Sequence, residues 1–366
     1  MRKKNPYRFL FAGGGTGGHL YPAIAVADKI KELLPDADIL FIGTKHKIES
    51  SVVPKLGYKF KSIWISGFSR KFNIKNMLFP FKVIISMLQS LAINFSFQPR
   101  VAIGTGAYVS GPAIWAASFM GAKIMLLEQN SYPGITNRLL EKKADEIHIA
   151  FEDSKKYFRF TEKLYLTGNP VRTTLKLNNC GNAKAKFDLD ENKKTLVVLG
   201  GSLGALSINE AVAENISNLI ENDIQIVWQT GKYYFDKYSN LNQKNAVVIP
   251  FAENMSDVYS AADLVLCRAG ATTIAEVAAL GLPVIFVPSS NVAANHQYKN
   301  AKSIEERNAA IVIKDDEIKN KFLEVVLNVI NDKERLTKLQ NNIKEFSNPK
   351  AVETIAKNAI KFAEVI

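Results

Sequence analysis

Three glycine-rich segments and a fourth rich in small and hydroxyl residues hold the residues best suited to chemistry. The first, Gly13-Gly14-Gly15-Thr16-Gly17-Gly18-His19, stands between an apolar run and a helical pattern. Glycines there let the backbone approach a ligand, and a helix start offers unpaired N–H groups to an anion. Taken singly, such a segment is equally compatible with a tight turn that holds nothing. It recurs, however, in Gly104-Thr105-Gly106-Ala107-Tyr108-Val109-Ser110-Gly111 and in Gly200-Gly201-Ser202-Leu203-Gly204-Ala205, each after another apolar run. The fourth is Arg268-Ala269-Gly270-Ala271-Thr272-Thr273-Ile274-Ala275-Glu276, where hydroxyls and N–H groups at a helix start suit a diphosphate. Glu276, about one turn further in, suits the paired hydroxyls of a ribose; the plainer alternative is a first-turn carboxylate that complements the helix dipole.

Several other chemistries are disfavoured. A dinucleotide fold places an acid at the end of its second strand, whereas that run here ends Phe41-Ile42-Gly43-Thr44-Lys45, leaving only a phosphorylated dinucleotide held by Lys45 or Lys47. No P-loop lysine motif, HExxH or paired His/Asp spacing occurs, so neither a metal nor a cofactor is expected. Cys180 and Cys267 are too few for a disulfide framework or a cysteine metal site. His46 and His148 have no constellation around them and read as surface residues.

The elements that must position these segments follow an alternating pattern. Arg8 to Ala12 reads as a strand, Tyr21 to Leu34 as a helix stopped by Pro35, and Asp38 to Ile42, Val101 to Ile103, Lys123 to Leu127 and Glu146 to Ala150 as further strands. The pattern restarts after the Asn/Lys-rich stretch Asn178 to Lys194, with strands at Thr195 to Leu199, Ile224 to Trp228, Ala246 to Ile249, Leu264 to Cys267 and Val284 to Val287. The fold class is therefore α/β: two Rossmann-like domains with parallel sheets facing a cleft. Residues 1–165 form the expected N-terminal domain and 166–347 the C-terminal one. A last helix, Pro349 to Val365 with Asn348 as its cap, has one apolar face and is a candidate to pack back on the first domain.

The 366 residues suffice for two such cores, and 47% hydrophobic with 22% charged residues exclude a mainly disordered chain. The net charge is +12, and from Ser50 to Leu127 there is no Asp or Glu among nine Lys and Arg. One face of the first half thus seeks an anion. Met77 to Phe97 is the longest apolar stretch, but Pro80, Lys82, Gln89 and Asn94 interrupt it and argue against a spanning helix. Met1 to Tyr7 is basic and polar, unlike a signal peptide. A nucleic-acid-binding role, suggested by charge alone, finds no supporting motif and leaves the glycine loops unexplained.

The segments GGGTGGHLYPAIAVA, GTGAYVSGP, EQNSYPGITNRLL, TGNPVR, GGSLGALSIN, CRAGATTIAEVAALGLPVIFVP and NHQYKNA, in this order, resemble the MurG family of glycosyltransferases. The likeness runs from about residue 8 to about residue 302; Ala107 departs from it where a further Gly is common, as does the Asn295-His296 pair. It implies a GT-B fold and inverting transfer of N-acetylglucosamine from UDP-N-acetylglucosamine to the C4 hydroxyl of the muramoyl sugar of an undecaprenyl-diphosphate-linked acceptor. Alternatives within the same fold are a glycolipid synthase or a UDP-N-acetylglucosamine 2-epimerase.

The resemblance also implies roles. Glu276 would bind the ribose, Ala271, Thr272 and Ser202 the diphosphate, Ala252 the uracil, and Gln297 the sugar. Thr16, Gly17, Gly18 and Asn130 would close from the first domain, and Arg172 would sit at the hinge. His19 is the candidate base, with Glu128 its rival; the alternative for His19 is a loop-ordering residue with no catalytic role. Gly104, Thr105, Gly106 and Tyr108 would face the acceptor. Ile74, Leu78, Phe79 and Phe81 with Lys71, Lys75 and Lys82 would form a patch on an anionic membrane surface, the alternative being that these apolar residues are core. The implied location is peripheral, on the cytoplasmic face of the cell membrane.

Overall fold

The computed structural model describes residues 7–67, 78–172, 175–201, 203–290 and 295–364. Ser202, Lys71, Ile74 and Lys75, singled out above, lie outside the described residues. The chain divides into two compact units, Met1–Arg172 with Asn348–Ile366, and Thr173–Ser347. The division falls at Arg172, not at residue 165.

The first unit is built on seven parallel strands: β1 Arg8–Ala12, β2 Asp38–Gly43, β3 Lys59–Ser62, β4 Val101–Gly104, β5 Lys123–Glu128, β6 Glu146–Ile149 and β7 Leu164–Leu166. Their order is β3-β2-β1-β4-β5-β6-β7. Its helices are α1 Gly17–Leu33, α2 Glu49–Lys55, α3 Phe79–Phe97, α4 Ala107–Phe119 and α5 Ile135–Leu140. Central strands are continuous apolar runs because helices cover both faces of a parallel sheet. Phe9, Phe11, Ile24, Ile30 and Ile103 form the core on one face. Leu10, Ala102, Val109, Ile114 and Leu126 form it on the other.

The second unit repeats the plan with six parallel strands: β8 Lys194–Leu199, β9 Ile224–Gln229, β10 Ala246–Ile249, β11 Leu264–Cys267, β12 Val284–Phe286 and β13 Ile311–Val312, in the order β10-β9-β8-β11-β12-β13. Its helices are α6 Cys180–Ala185, α7 Leu206–Glu221, α8 Phe235–Tyr238, α9 Met255–Ser260, α10 Ala271–Leu280, α11 His296–Glu305, α12 Ile318–Ile330 and α13 Lys333–Ile343. The chain then returns to the first unit as α14, Ala351–Glu364, whose Ile355, Ala356, Ala359 and Ala363 complete the core beside α1.

In an open parallel sheet, ligands collect where the strand order reverses, beyond the carboxyl ends of the strands. The reversal lies between β1 and β4 in the first unit and between β8 and β11 in the second. Ala12 pairs with Gly104 and Leu199 with Cys267, so both strand pairs end level. The three glycine-rich segments and the Arg268–Glu276 segment follow these four strands. The topology therefore gathers them two by two at the switch point of each unit.

One element has an unexpected polarity. Helix α3 buries Ser86, Ser90 and Asn94 and turns Phe81, Ile84, Leu88 and Phe95 outward, the last 69% exposed. Asn94 Nδ2 donates to the Ala113 carbonyl of α4 at 3.4 Å, marking the polar row as the packed side. In length and composition α3 is the one helix among the described residues that suffices to cross a membrane.

Candidate active site

In the first unit, Thr16 is extended and exposed, and its carbonyl accepts the His19 and Leu20 amides to start α1. Gly17 and Gly18 form the first turn. His19 Nδ1 lies 2.7 Å from the Thr105 carbonyl oxygen. A carbonyl only accepts, so Nδ1 carries the proton and the lone pair is on Nε2. Burial lowers the His19 pKa, opposed by the Thr105 carbonyl, Gln129 and Glu49. The ring is thus a neutral imidazole at pH 7, the form a base requires.

The loop after β4 departs from expectation. Gly104, Thr105 and Gly106 are all buried, Thr105 completely. The Thr105 side chain lies beneath Gly13 and faces no ligand, so its contribution is the carbonyl that holds His19. Gly106 and Ala107 both adopt left-handed backbone, φ +89° and +62°. Gly106 takes this freely, while Ala107 is strained by its Cβ, which gives a physical reason for a glycine at this position. Tyr108 is half-buried, and burial followed by the Glu49 carboxylate pushes its hydroxyl pKa up.

Glu128, at the end of β5, is 3% exposed. Its Oε1 accepts from Asn130 N at 3.0 Å and Asn130 Nδ2 at 3.3 Å, and its Oε2 from Gly134 N at 3.0 Å and Asn137 Nδ2 at 2.9 Å. Burial raises its pKa against these donors. Four donors around one carboxylate describe the organiser of the 128–134 turn, and they present Asn130 partly exposed. The Arg172 guanidinium lies over the Tyr21 ring at 4.7 Å. His148 is buried at 2% exposure, with Nε2 3.0 Å from Glu146 Oε2, correcting the reading of a surface residue. Asn358 of α14 donates to the same Glu146 oxygen at 2.9 Å, so the pair ties the returning helix to β6.

In the second unit, α10 begins at Ala271 with Gly270 as its extended cap, leaving Ala271 and Thr272 in the first turn. Arg268, just before it, donates to Asp315 Oδ1 at 2.5 Å, to the Val287 carbonyl at 3.0 Å and to Ser207 Oγ at 2.9 Å. These bonds pin the segment after β11 to the start of α7 and the end of β12. Glu276 is only 9% exposed, lies beyond the first turn of α10 and so is not a first-turn carboxylate complementing the dipole, and accepts the Tyr259 hydroxyl at 2.9 Å. Burial and the nearby Glu276 push the Cys267 thiol pKa up, so this cysteine is inert. Gln297 Oε1 accepts Ser289 N at 2.9 Å, which leaves donation to its amide NH2 group. Ala252 is buried, and its N–H is taken by Gln229 Oε1 at 2.9 Å. That amide is therefore engaged within the protein.

Sequence reasoning missed Tyr259, Gln229 and Asp315. Each acts on a motif residue from a separate element, and no local spacing signals such a contact. Of the expected membrane patch, Leu78 and Phe81 are exposed and Phe79 is partly covered. Lys82 is drawn back over Trp64, with Nζ 3.0 Å from Ser66 Oγ.

Comparison with known proteins accords with this geometry. Residues 9–149 match the glycosyltransferase family 28 N-terminal domain, and residues 195–357 match its C-terminal domain. A UDP-N-acetylglucosamine–N-acetylmuramyl-(pentapeptide) pyrophosphoryl-undecaprenol N-acetylglucosamine transferase of Flavobacterium psychrophilum is 44% identical, covering 98% of either chain. The enzyme of the same name from Bacteroides thetaiotaomicron is 42% identical over the same shares. Among solved structures, Acinetobacter baumannii MurG aligns with a TM-score of 0.76 at 24% identity, covering 97% of this chain and all of that one. A putative UDP-N-acetylglucosamine 2-epimerase from Listeria monocytogenes shares the fold at a TM-score of 0.69 and 13% identity, with 97% and 96% covered. Loops paired at two switch points, both family 28 domains and full-length relatives at this identity together place the chain in the MurG family of glycosyltransferases.

Proposed function

We propose that the protein transfers N-acetylglucosamine from UDP-N-acetylglucosamine to the C4 hydroxyl of the muramoyl sugar of an undecaprenyl-diphosphate-linked muramoyl-pentapeptide, with inversion. The full-length match to transferases of that name carries this reading. In the first unit, His19 Nε2 takes the proton from the attacking hydroxyl, while Thr16, Gly17, Gly18 and Asn130 line the approach. Glu128, with its lone pairs engaged, holds the turn rather than acting as base. In the second unit, Glu276 holds the ribose, the Ala252 carbonyl reads the uracil N3–H, and Gln297 donates to the sugar. Charge building on the departing diphosphate meets the Ala271 and Thr272 amides at the α10 N-terminus, where the helix dipole favours it. Ser202 belongs to the same diphosphate site on sequence grounds.

The acceptor carries a lipid, and the outward apolar row of α3 supports a peripheral seat on the cytoplasmic membrane face. Large side chains on that row each gain about 1.5–3 kcal/mol when withdrawn from water. Lys71, Lys75 and Lys82 add attraction to anionic lipid of about 1 kcal/mol each.

The deciding experiment supplies labelled UDP-N-acetylglucosamine with the lipid-linked muramoyl acceptor, with diacylglycerol, or with no acceptor. Label passing only to the muramoyl lipid is expected. Transfer to diacylglycerol would identify a glycolipid synthase, and conversion of the free donor an epimerase.

A further inference from the structure

The first glycine loop already has an anion. Glu49, at the start of α2, is 1% exposed. Its Oε2 accepts the Gly15 amide at 2.9 Å; its Oε1 accepts the Thr44 amide at 3.0 Å and the Thr44 hydroxyl at 2.8 Å. A Cβ on Gly14 would overlap the carboxyl group, and one on Gly43 would overlap the Glu49 side chain. Two of the glycines therefore make room for a carboxylate supplied by the chain itself. The sequence suggested a loop whose amides await an external anion; at Gly15 that place is filled.

From these contacts we infer that Glu49 is a positioning residue for the transfer reaction, fixing the first loop so that His19 meets the acceptor. The connection is short and continuous. Glu49 holds Gly15, Thr16 follows and caps α1, and His19 in the first turn bonds across to Thr105. On its other side, Glu49 holds Thr44 at the end of β2. A buried carboxylate with three donors sets this loop more firmly than three consecutive glycines could by themselves. The inference rests on the reading above that His19 serves the reacting hydroxyl.

Glu49→Gln tests it with nearly unchanged volume. An amide has one acceptor where two donor groups wait on opposite oxygens, so in either orientation its NH2 faces a backbone N–H. The full-length protein is assayed for kcat with saturating donor and lipid-linked acceptor, for UDP affinity by calorimetry, and for melting temperature. The expected result is a loss of about ten- to a hundredfold in kcat, the scale of a misplaced catalytic group. UDP affinity should stay within about twofold, since the residues proposed to hold the ribose, uracil and diphosphate, Glu276, Ala252, Ala271 and Thr272, all lie in the second unit. A kcat within about threefold of the parent, or a loss matched by equal loss of UDP affinity, overturns the inference.

A second comparison does not depend on that variant. Gly14→Ala should cost activity in the parent but much less in Glu49→Ala, where the overlapping carboxyl is gone. Strictly multiplicative losses would overturn the inference. His19→Ala separates the two levels. If it retains full turnover, the reading of His19 falls; if it fails while Glu49→Gln is fully active, the Glu49 inference alone falls.

Discussion

The base role proposed for His19 is open to direct test. With Nδ1 committed to the Thr105 carbonyl, His19→Gln should lower kcat by about 10²–10⁴-fold while UDP affinity measured by calorimetry is kept. Only the neutral ring accepts a proton, so kcat/KM should fall as pH drops through the His19 pKa. Burial moves that pKa below the ordinary value of about 6.5, which places the acid limb on the low side of that value in a pH–rate profile. Glu276 makes a different prediction because it is buried against Tyr259. Glu276→Gln retains an acceptor for that hydroxyl and should weaken donor binding by about ten- to a hundredfold without loss of stability. Glu276→Ala should weaken binding similarly and also cost about 1 kcal/mol in denaturant unfolding, having removed the buried hydrogen bond from the Tyr259 hydroxyl. Ala107→Gly should raise stability by up to about 1 kcal/mol, since it removes left-handed strain from an L-residue.

Elements differ in how openly the sequence announces them. Arg8 to Ala12 and Leu264 to Cys267 appear as read, because a strand covered on both faces must be an uninterrupted apolar run; Ala246 to Ile249 also appears as read, although it is an edge strand with alternate residues partly exposed. The other three edge strands, β3, β7 and β13, were not legible. Lys59–Ser62 is largely exposed and lysine-rich, and Ile311–Val312 is two residues long, so neither leaves a periodic trace. Glycine loops could be placed at strand ends, but which atoms they hold could not: Glu49 reaches Gly15 across 34 positions. Helix α3 was read equally well as core or surface, since composition does not tell which side of an apolar helix packs. Its buried side is the serine and asparagine row. Replacing Phe81, Leu88 and Phe95 by Ser should therefore leave melting nearly unchanged and abolish the salt-resistant part of vesicle binding in cosedimentation. The part that falls with added salt and needs anionic lipid should survive, as it comes from lysines.

For the whole molecule, the decisive feature is that the first unit is discontinuous in sequence. Ile355, Ala356, Ala359 and Ala363 share a core with Phe9, Ile24 and Ile30, while Asn358 reaches Glu146. Truncation after Ser347 should abolish the cooperative melting of the first unit and leave the second, which is contiguous, with its own transition. Scanning calorimetry of the truncated chain would show one transition where the full chain shows the contribution of both. The same feature sets an order of events during synthesis. The N-terminal unit leaves the ribosome first, yet the apolar side of its α1 lacks its cover until the last residues are made. The second unit, contained within that interval, can finish folding earlier. The part of the chain translated first is thus the last to become native, and in the meantime it is the part most exposed to chaperones, proteases and aggregation.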